Sequence, residues 1–328
     1  MTIRNRSVVT GFPRKRKKKW FTLKRFIIFL ITIAVAYIAL FLIVVPERPN
    51  HSYFSGVNHP MVIANRGGLS LAPENTLVAF ERANALNVDA IQFDVRLSQD
   101  GELVVIHDDT VDRTTNGEGK VAEMTLAELK QFDAAHRFPG IRGNYEYRGH
   151  GVRIPTVDEV FEKLGDMHFV IEMKDPPAPA EGEQVYDLPG LLWESIEAHQ
   201  MQKKVIVGGE TNALLETFNT YAQGQVVLTA SRQETTRFNM LHKLFLNRLY
   251  RPNSDVFQAS VDTGIFNMKD SRIIDGAHRL NMKMLYSVVN DEDTIRDLLR
   301  RGADGIITDR PDLLIRVMNE MGINHEED

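Results

Sequence analysis

The chain has 328 residues, 43% hydrophobic and 25% charged, the balance of a globular protein and not of a disordered one. It contains no cysteine, which excludes disulfides, thiolate metal sites and cysteine nucleophiles. The net charge of -5 is unevenly spread: residues 1–45 carry ten Lys and Arg and no acid, leaving 29 basic against 44 acidic residues and a net charge of -15 on the remainder.

The N-terminus sets the topology. Phe26 to Val45 is an uncharged apolar run; at ~1.5 Å per residue it spans roughly 30 Å, the thickness of a bilayer core. It is longer than the apolar region of a cleaved secretory signal and ends in Val44-Val45-Pro46-Glu47 without a small-residue cleavage pattern. The sequence therefore predicts a retained single-pass transmembrane helix over 26–45 after a basic cytoplasmic segment, 1–25. The block Arg14-Lys15-Arg16-Lys17-Lys18-Lys19 directly before the span reads as a membrane-orienting signal and not as a nucleic-acid contact. The globular part is expected on the extracytoplasmic side of the cytoplasmic membrane.

A proline-containing linker is expected at 46–60, a globular domain at 61–321 and a short tail at 322–328. Strand-like apolar runs occur at Met61–Asn65, Ala90–Leu97, Phe169–Met173, Val205–Val207, Val226–Thr229, Phe257–Ser260, Met284–Val288 and Gly305–Thr308. Helical periodicity lies between them, at Thr76–Leu86, Gly190–Ala198, Thr211–Tyr221, Thr235–Leu249, Ser271–Leu280, Asp291–Arg301 and Pro311–Met321. Eight buried strands alternating with helices predict an α/β fold, a closed (β/α)8 TIM barrel, with an open doubly wound sheet as the alternative. The alternation breaks once. The turn Ser98-Gln99-Asp100-Gly101 leads into Leu103–His107, a hairpin partner, and an irregular stretch follows, so an insertion is expected over about 98–153.

Reactive residues of such a barrel belong at the C-terminal ends of its strands. Asn65 and Arg66 end the first, Gln92 and Asp94 lie on the second, Glu172 and Lys174 end the third, and Thr308 and Asp309 end the eighth. Residues two apart on a strand share a face, so Asp94, Glu172 and the Gln92 amide oxygen could together hold one hard divalent cation. Arg66 and Lys174 are suited to an anion such as phosphate, and His107 to moving a proton. Tyr286 either flanks a substrate or packs in the core, and His136 in the insertion is a reserve base.

In this order the motifs Pro73-Glu74-Asn75-Thr76, His107-Asp108, Arg113-Thr114, Ile171-Glu172-Met173-Lys174 and Gly305-Ile306-Ile307-Thr308-Asp309-Arg310-Pro311 resemble the glycerophosphodiester phosphodiesterase family over about 62–314. The resemblance implies a TIM barrel, one divalent cation (often Ca²⁺ or Mg²⁺), and hydrolysis of glycerol-phosphate diesters to glycerol 3-phosphate and an alcohol. The partner is then a glycerophosphodiester or a phospholipid headgroup. It further implies metal ligands at Gln92, Asp94 and Glu172 and a pair of catalytic histidines. Two departures stand out. Asn65 occupies the position of the first histidine and cannot transfer a proton near neutral pH, and Gln92 replaces an acid. The expectation is an enzyme with altered or reduced catalysis. The alternatives are a pseudoenzyme that binds headgroups and a membrane-anchored scaffold.

Overall fold

The computed structural model describes residues 18–41, 45–140, 143–174, 186–244, 246, 249–261 and 268–325. The chain forms two compact units, residues 1–45 and 46–328. The first contains helix α1 (Lys18–Phe41), whose stretch Thr22–Leu40 has a mean hydropathy of 2.2 and is long and apolar enough to cross a membrane. The helix begins inside the segment expected to be merely basic, while 1–17 and 42–44 of the predicted regions lie outside the described residues.

The second unit is the barrel. Its elements are β1 (Met61–Asn65), α2 (Leu77–Ala85), β2 (Ala90–Leu97), β3 (Leu103–Val105), α3 (Leu126–Leu129), α4 (Val157–Leu164), β4 (His168–Met173), α5 (Leu188–Ala198), β5 (Val205–Gly209), α6 (Asn212–Ala222), β6 (Val227–Leu228), α7 (Arg232–Lys243), β7 (Val256–Ala259), α8 (Ser271–His278), β8 (Lys283–Ser287), α9 (Glu292–Arg300), β9 (Gly305–Thr308) and α10 (Pro311–Glu320). The strand order is β6-β5-β4-β2-β1-β9-β8-β7, with all neighbours in that path parallel. A parallel bridge from Thr229 to Val256, with the Ala230 N–H donating to the Val256 carbonyl at 2.6 Å, joins β6 to β7 and closes the ring. Strand β3 hangs antiparallel on β2 as the expected hairpin. The insertion after it has its own apolar centre of Val104, Val111, Val121, Leu129 and Ile154, so it is a folded cap and not a loose loop.

One layer of the barrel interior positions the site. Ile63, Ala90, Val170, Ile206, Val227, Val256, Leu285 and Ile307, one from each barrel strand, pack in a single buried cluster. Two residues further along the same strands stand Asn65, Gln92, Glu172, Gly208, Thr229, Gln258, Ser287 and Asp309. Because the strand repeat is two, these positions share the inward face. The interior thus changes from wholly apolar to almost wholly polar in one step, and the polar step is the floor of the mouth.

Three elements of the barrel unit differ from expectation, the first being α3, a single turn started by the Thr125–Glu128 capping box within the stretch expected to be irregular. Helix α4 stands where no element was expected, although its signals are plain: Thr156 and Glu159 form a capping box, and Val157, Val160, Phe161 and Leu164 form one buried face. Helix α7 lies closer to the N-terminus than 235–249, because the Ser231 hydroxyl accepts the Glu234 N–H and starts it early; residues 245, 247 and 248 are outside the described set.

The stretch 46–60 is not merely a linker. Its Arg48 N–H donates to the Leu280 carbonyl at 2.8 Å, and the Arg48 guanidinium lies 2.7 Å from Asp255. Tyr53 is 1% exposed within the barrel's apolar cluster, edge-on to His168. A barrel whose inner residues begin at Met61 leaves an apolar opening at its N-terminal end, and Tyr53 stops it. Replacing Tyr53 by Ala should destabilise the barrel unit by about 3 kcal/mol or more, the cost of emptying a buried aromatic site; denaturant unfolding checks this, and an unchanged midpoint would reduce 46–60 to a tether.

Candidate active site

Three consecutive residues after β1 take the left-handed conformation, Arg66 (φ 50°), Gly67 (φ 83°) and Gly68 (φ 83°). Glycine is required at 67 on a second ground, since a Cβ there would lie 2.7 Å from both Ala79 and the Phe80 ring. This turn brings Arg66 back over the mouth. Its N–H donates to Gln92 Oε1 (3.1 Å), Nη1 donates to Glu74 Oε1 (2.8 Å), and Nε lies 3.3 Å from Asp94 Oδ2.

Asp94 is buried and surrounded by donors. Lys174 Nζ is 3.2 Å from Oδ1, Asn75 Nδ2 donates to Oδ2 at 3.0 Å, and Gln92 Nε2 donates to Oδ1 at 3.3 Å. Burial alone would raise this carboxyl, but the Lys174 and Arg66 charges outweigh it and hold Asp94 below the ordinary carboxylate value. Lys174 also reaches Glu210 (3.4 Å).

From Arg66 the charges alternate outward into the insertion. Glu74, which burial would also raise, is held low by Arg113 and Arg66. Arg113 spans Glu74 and Asp108, with Nη1 to Glu74 Oε2 at 2.7 Å and Nε to Asp108 Oδ2 at 2.7 Å. Asp108 Oδ1 in turn lies 2.7 Å from His107 Nδ1. Burial opposes ionisation of Asp108, yet the hydrogen bonds from Arg113 and His107 bring it down to about 2. A carboxylate fixed in its ionised form selects the His107 tautomer with Nδ1 protonated, leaving the lone pair on Nε2.

Glu172 behaves in the opposite way. It pairs with Asp94 in the β2–β4 register, and burial pushes it up to about 7, with Asp94 and Glu210 adding to the effect against Lys174. Among the described residues no Lys, Arg or His nitrogen lies within 4.0 Å of it. Its Oε2 occupies the room left by Gly208, where a Cβ would overlap it. A partly buried carboxylate without a cationic partner, beside a second carboxylate, suits a hard divalent cation. No three His, Cys, Asp or Glu side chains converge among the described residues, so such a site would need the Gln92 amide oxygen or water as well. That oxygen accepts the Arg66 N–H and has a second lone pair.

Asn65, beside Gln92 in register, donates its Nδ2 to Asp309 Oδ1 at 2.6 Å; the other Asp309 oxygen accepts from Asn290 at 2.6 Å. The expected residues Asn65, Arg66, Gln92, Asp94, Glu172 and Lys174 therefore gather at one mouth, and His107 joins them through Asp108, Arg113 and Glu74. These last three, with Asn75 and Asp309, received no role from the sequence, although each sits in a motif noted there. Tyr286 is core: it is fully buried and its hydroxyl donates to the Met268 carbonyl at 2.6 Å. His136 stays in the insertion, and its ring joins none of these contacts.

The glycerophosphoryl diester phosphodiesterase family profile matches residues 66–313. The chain is 34% identical to the glycerophosphodiester phosphodiesterase of Caldanaerobacter subterraneus subsp. tengcongensis, over 80% of this chain and 99% of that one. It is 31% identical to the glycerophosphodiester phosphodiesterase of Bacillus altitudinis, over 79% of this chain and 98% of that one. Among solved structures it is similar to a glycerophosphodiester phosphodiesterase of Agrobacterium tumefaciens (TM-score 0.63, 24% identity, 78% of this chain and 99% of that one). It is also similar to an Oleispira antarctica phosphodiesterase in complex with the product sn-glycerol-3-phosphate (TM-score 0.60, 24% identity, 82% of this chain and 100% of that one). At these identities the structural likeness shows the TIM-barrel fold. The chain belongs to the glycerophosphoryl diester phosphodiesterase family, a family of phosphoric diester hydrolases.

Arg113 is the joint of the ion-pair chain, so Arg113→Met should release Asp108. Its carboxyl should rise from about 2 toward the ordinary value of about 3.9. Carboxyl-carbon NMR titration reads this directly, and an Asp108 titration that does not move would show that Arg113 does not hold it.

Proposed function

We propose that this family member hydrolyses glycerol-phosphate diesters to glycerol 3-phosphate and an alcohol, at a rate lowered by Asn65 and Gln92, from a single-pass anchor in the cytoplasmic membrane. The observation that carries the reading is the continuous set of contacts from His107 and Asp108 through Arg113, Glu74 and Arg66 to the buried Asp94. It couples a proton-transfer group to a phosphate-binding group with little freedom in either.

Arg66 and Lys174 would bind the non-bridging phosphoryl oxygens, exchanging part of their contact with Glu74, Asp94 and Glu210 for the substrate anion. His107, fixed through Nδ1 by Asp108, would move a proton at Nε2. Asn65 would orient a phosphoryl or hydroxyl oxygen without exchanging a proton. Asp94, Glu172 and the Gln92 amide oxygen are the residues that would hold a divalent cation, Ca²⁺ or Mg²⁺, whose chemistry there is to polarise a phosphoryl oxygen. A second reading, a pseudoenzyme that binds phosphodiester headgroups, draws support from the same two neutral residues, which are held by hydrogen bonds to Asp309, Arg66 and Asp94 yet carry neither a transferable proton nor a charge.

The test is turnover of the full chain in detergent on glycerophosphodiesters with Ca²⁺, Mg²⁺ or chelator. Asp309 already accepts a hydrogen bond from residue 65, so an imidazole N–H introduced by Asn65→His would meet a waiting carboxylate. We expect Asn65→His to raise kcat by at least about 10-fold, toward the ~10²–10⁴-fold range of acid–base catalysis. Gln92→Glu should tighten cation binding measured by calorimetry, and His107→Ala should abolish turnover. A fast wild type indifferent to His107 would sink the mechanism. Binding without turnover in the wild type would instead select the pseudoenzyme.

The anchor is tested separately. With ten positive charges before the apolar run, the positive-inside tendency puts the barrel outside the cytoplasm. A reporter fused after Asp328 should be active only if it is of the kind that works outside the cytoplasm.

A further inference from the structure

The mouth has a second side. At the ends of β4 to β8 lies a cavity of about 520 Å³ that begins at Glu172 and is lined by neutral polar groups, among them Thr229, Thr235, Asn239, Gln258, Ser260 and Ser287. Two of these are incompletely satisfied. Asn239 is 3% exposed, and its Oδ1 is buried without a hydrogen-bond partner; Gln258 Oε1 is buried and unpartnered in the same way. Their amide nitrogens are engaged by other residues of the same lining, Asn239 Nδ2 with Met268 Sδ (3.1 Å) and Gln258 Nε2 with Ser287 Oγ (3.5 Å), which fixes the carbonyl ends as the free acceptors. Buried amide oxygens left without donors are costly. Both oxygens are sealed within the lining as it stands, so a turn of either side chain toward the cavity would let a ligand hydroxyl supply the hydrogen bond that it lacks.

We propose that this cavity receives the alcohol arm of the diester and selects a polyol, with hydroxyls on neighbouring carbons, over an ammonium alcohol. The inference rests on the phosphodiesterase reading above and names the leaving group that reading leaves open. Donor hydroxyls answer Asn239 Oδ1 and Gln258 Oε1, and the Ser and Thr hydroxyls around them can donate or accept. An ammonium group finds little here. None of the described lining residues is aromatic, so none of them supplies a cation–π contact. Of the charged residues in the lining, Glu210 is already paired with Lys174, Arg232 is itself a cation, and Glu172 is the carboxylate that the reading above gives to the divalent cation.

The test compares kcat/KM of the full chain on glycerophosphoglycerol and glycerophosphocholine. The wild type should favour the glycerol ester by at least about 10-fold, the worth of one or two well-made hydrogen bonds to buried acceptors. Asn239→Leu and Gln258→Leu should each remove about 10-fold from glycerophosphoglycerol while changing glycerophosphocholine by no more than about two-fold. Gln258→Met, which keeps the volume and removes only the acceptor, serves where a leucine variant does not fold. Equal rates on the two diesters, or an equal fall on both in the variants, would overturn the proposal. A wild type that cleaves neither would instead refute the phosphodiesterase reading. Calorimetric binding of the two uncleaved diesters would then decide the preference by itself: tighter glycerophosphoglycerol, lost in the variants, upholds it, and equal affinity ends it.

Discussion

A carboxylate inside the barrel, Asp94, requires compensation, and much of the site is arranged around supplying it. An isolated ionised carboxylate in an apolar interior is too costly to persist. Here Arg66, Lys174, Asn75 and Gln92 all address the two oxygens. Removing one partner of such a buried pair typically costs about 3–5 kcal/mol, because the other charge is left stranded. That constraint explains local features that otherwise look unrelated. The left-handed turn at Arg66 and its two glycines aim a guanidinium at Asp94. The left-handed Asn75 delivers an amide to the same carboxylate, and Thr76 beside it caps α2.

The same electrostatic need ties the insertion to the barrel. Arg66 also meets Glu74, Glu74 meets Arg113, and Arg113 meets Asp108. The insertion's apolar centre makes it a folded cap, and Arg113 links it to the mouth through paired contacts on each side. His107, at the end of the hairpin, is thereby oriented by charges that trace back to the second strand. Asn65 and Gln92 fit this scheme without disturbing it. Each still makes the hydrogen bonds its position demands, to Asp309 in one case and to Arg66 and Asp94 in the other. Neither side chain ionises near neutral pH, so neither brings a transferable proton or a charge to its position. Shape and chemistry are separable here because hydrogen bonding to neighbours fixes the first, and ionisation supplies the second.

The barrel was legible because its strands are short apolar runs between helices, a pattern that burial on both faces imposes. The hairpin followed from a Gly turn between two apolar runs. Helix α4 was equally written in its capping box and apolar face, but its nearness to the irregular insertion obscured it. The plug at Tyr53 could not be read locally: one tyrosine among polar residues has no periodicity, and only the open end of a barrel gives it a place. The ion-pair chain was out of reach for a related reason. Glu74, Arg113 and Asp108 lie far from Asp94 in the chain, and sequence spacing carries no information about which charges meet.

The polar layer shows what the sequence holds once the barrel is assumed. On every barrel strand the residue two beyond an interior apolar side chain is polar, or glycine at 208. Singly, Thr229, Gln258 and Ser287 are unremarkable, and only their common height makes them a surface. Around that ring the chemistry divides. The half formed by β9, β1, β2 and β4 is dense in charge, whereas the half formed by β5 to β8 presents neutral amides and hydroxyls, with Glu172 between the two and Gly208 making room for it. A phosphodiester has the same division, an anionic centre with uncharged or differently charged alcohol arms. Charged groups are effective on the anion but indiscriminate toward the arms, while neutral buried acceptors discriminate by leaving themselves unsatisfied when the wrong arm enters. On the function proposed above, hold on the anion and choice of the alcohol arm fall to different strands, and Asn65 and Gln92 both stand on the charged side.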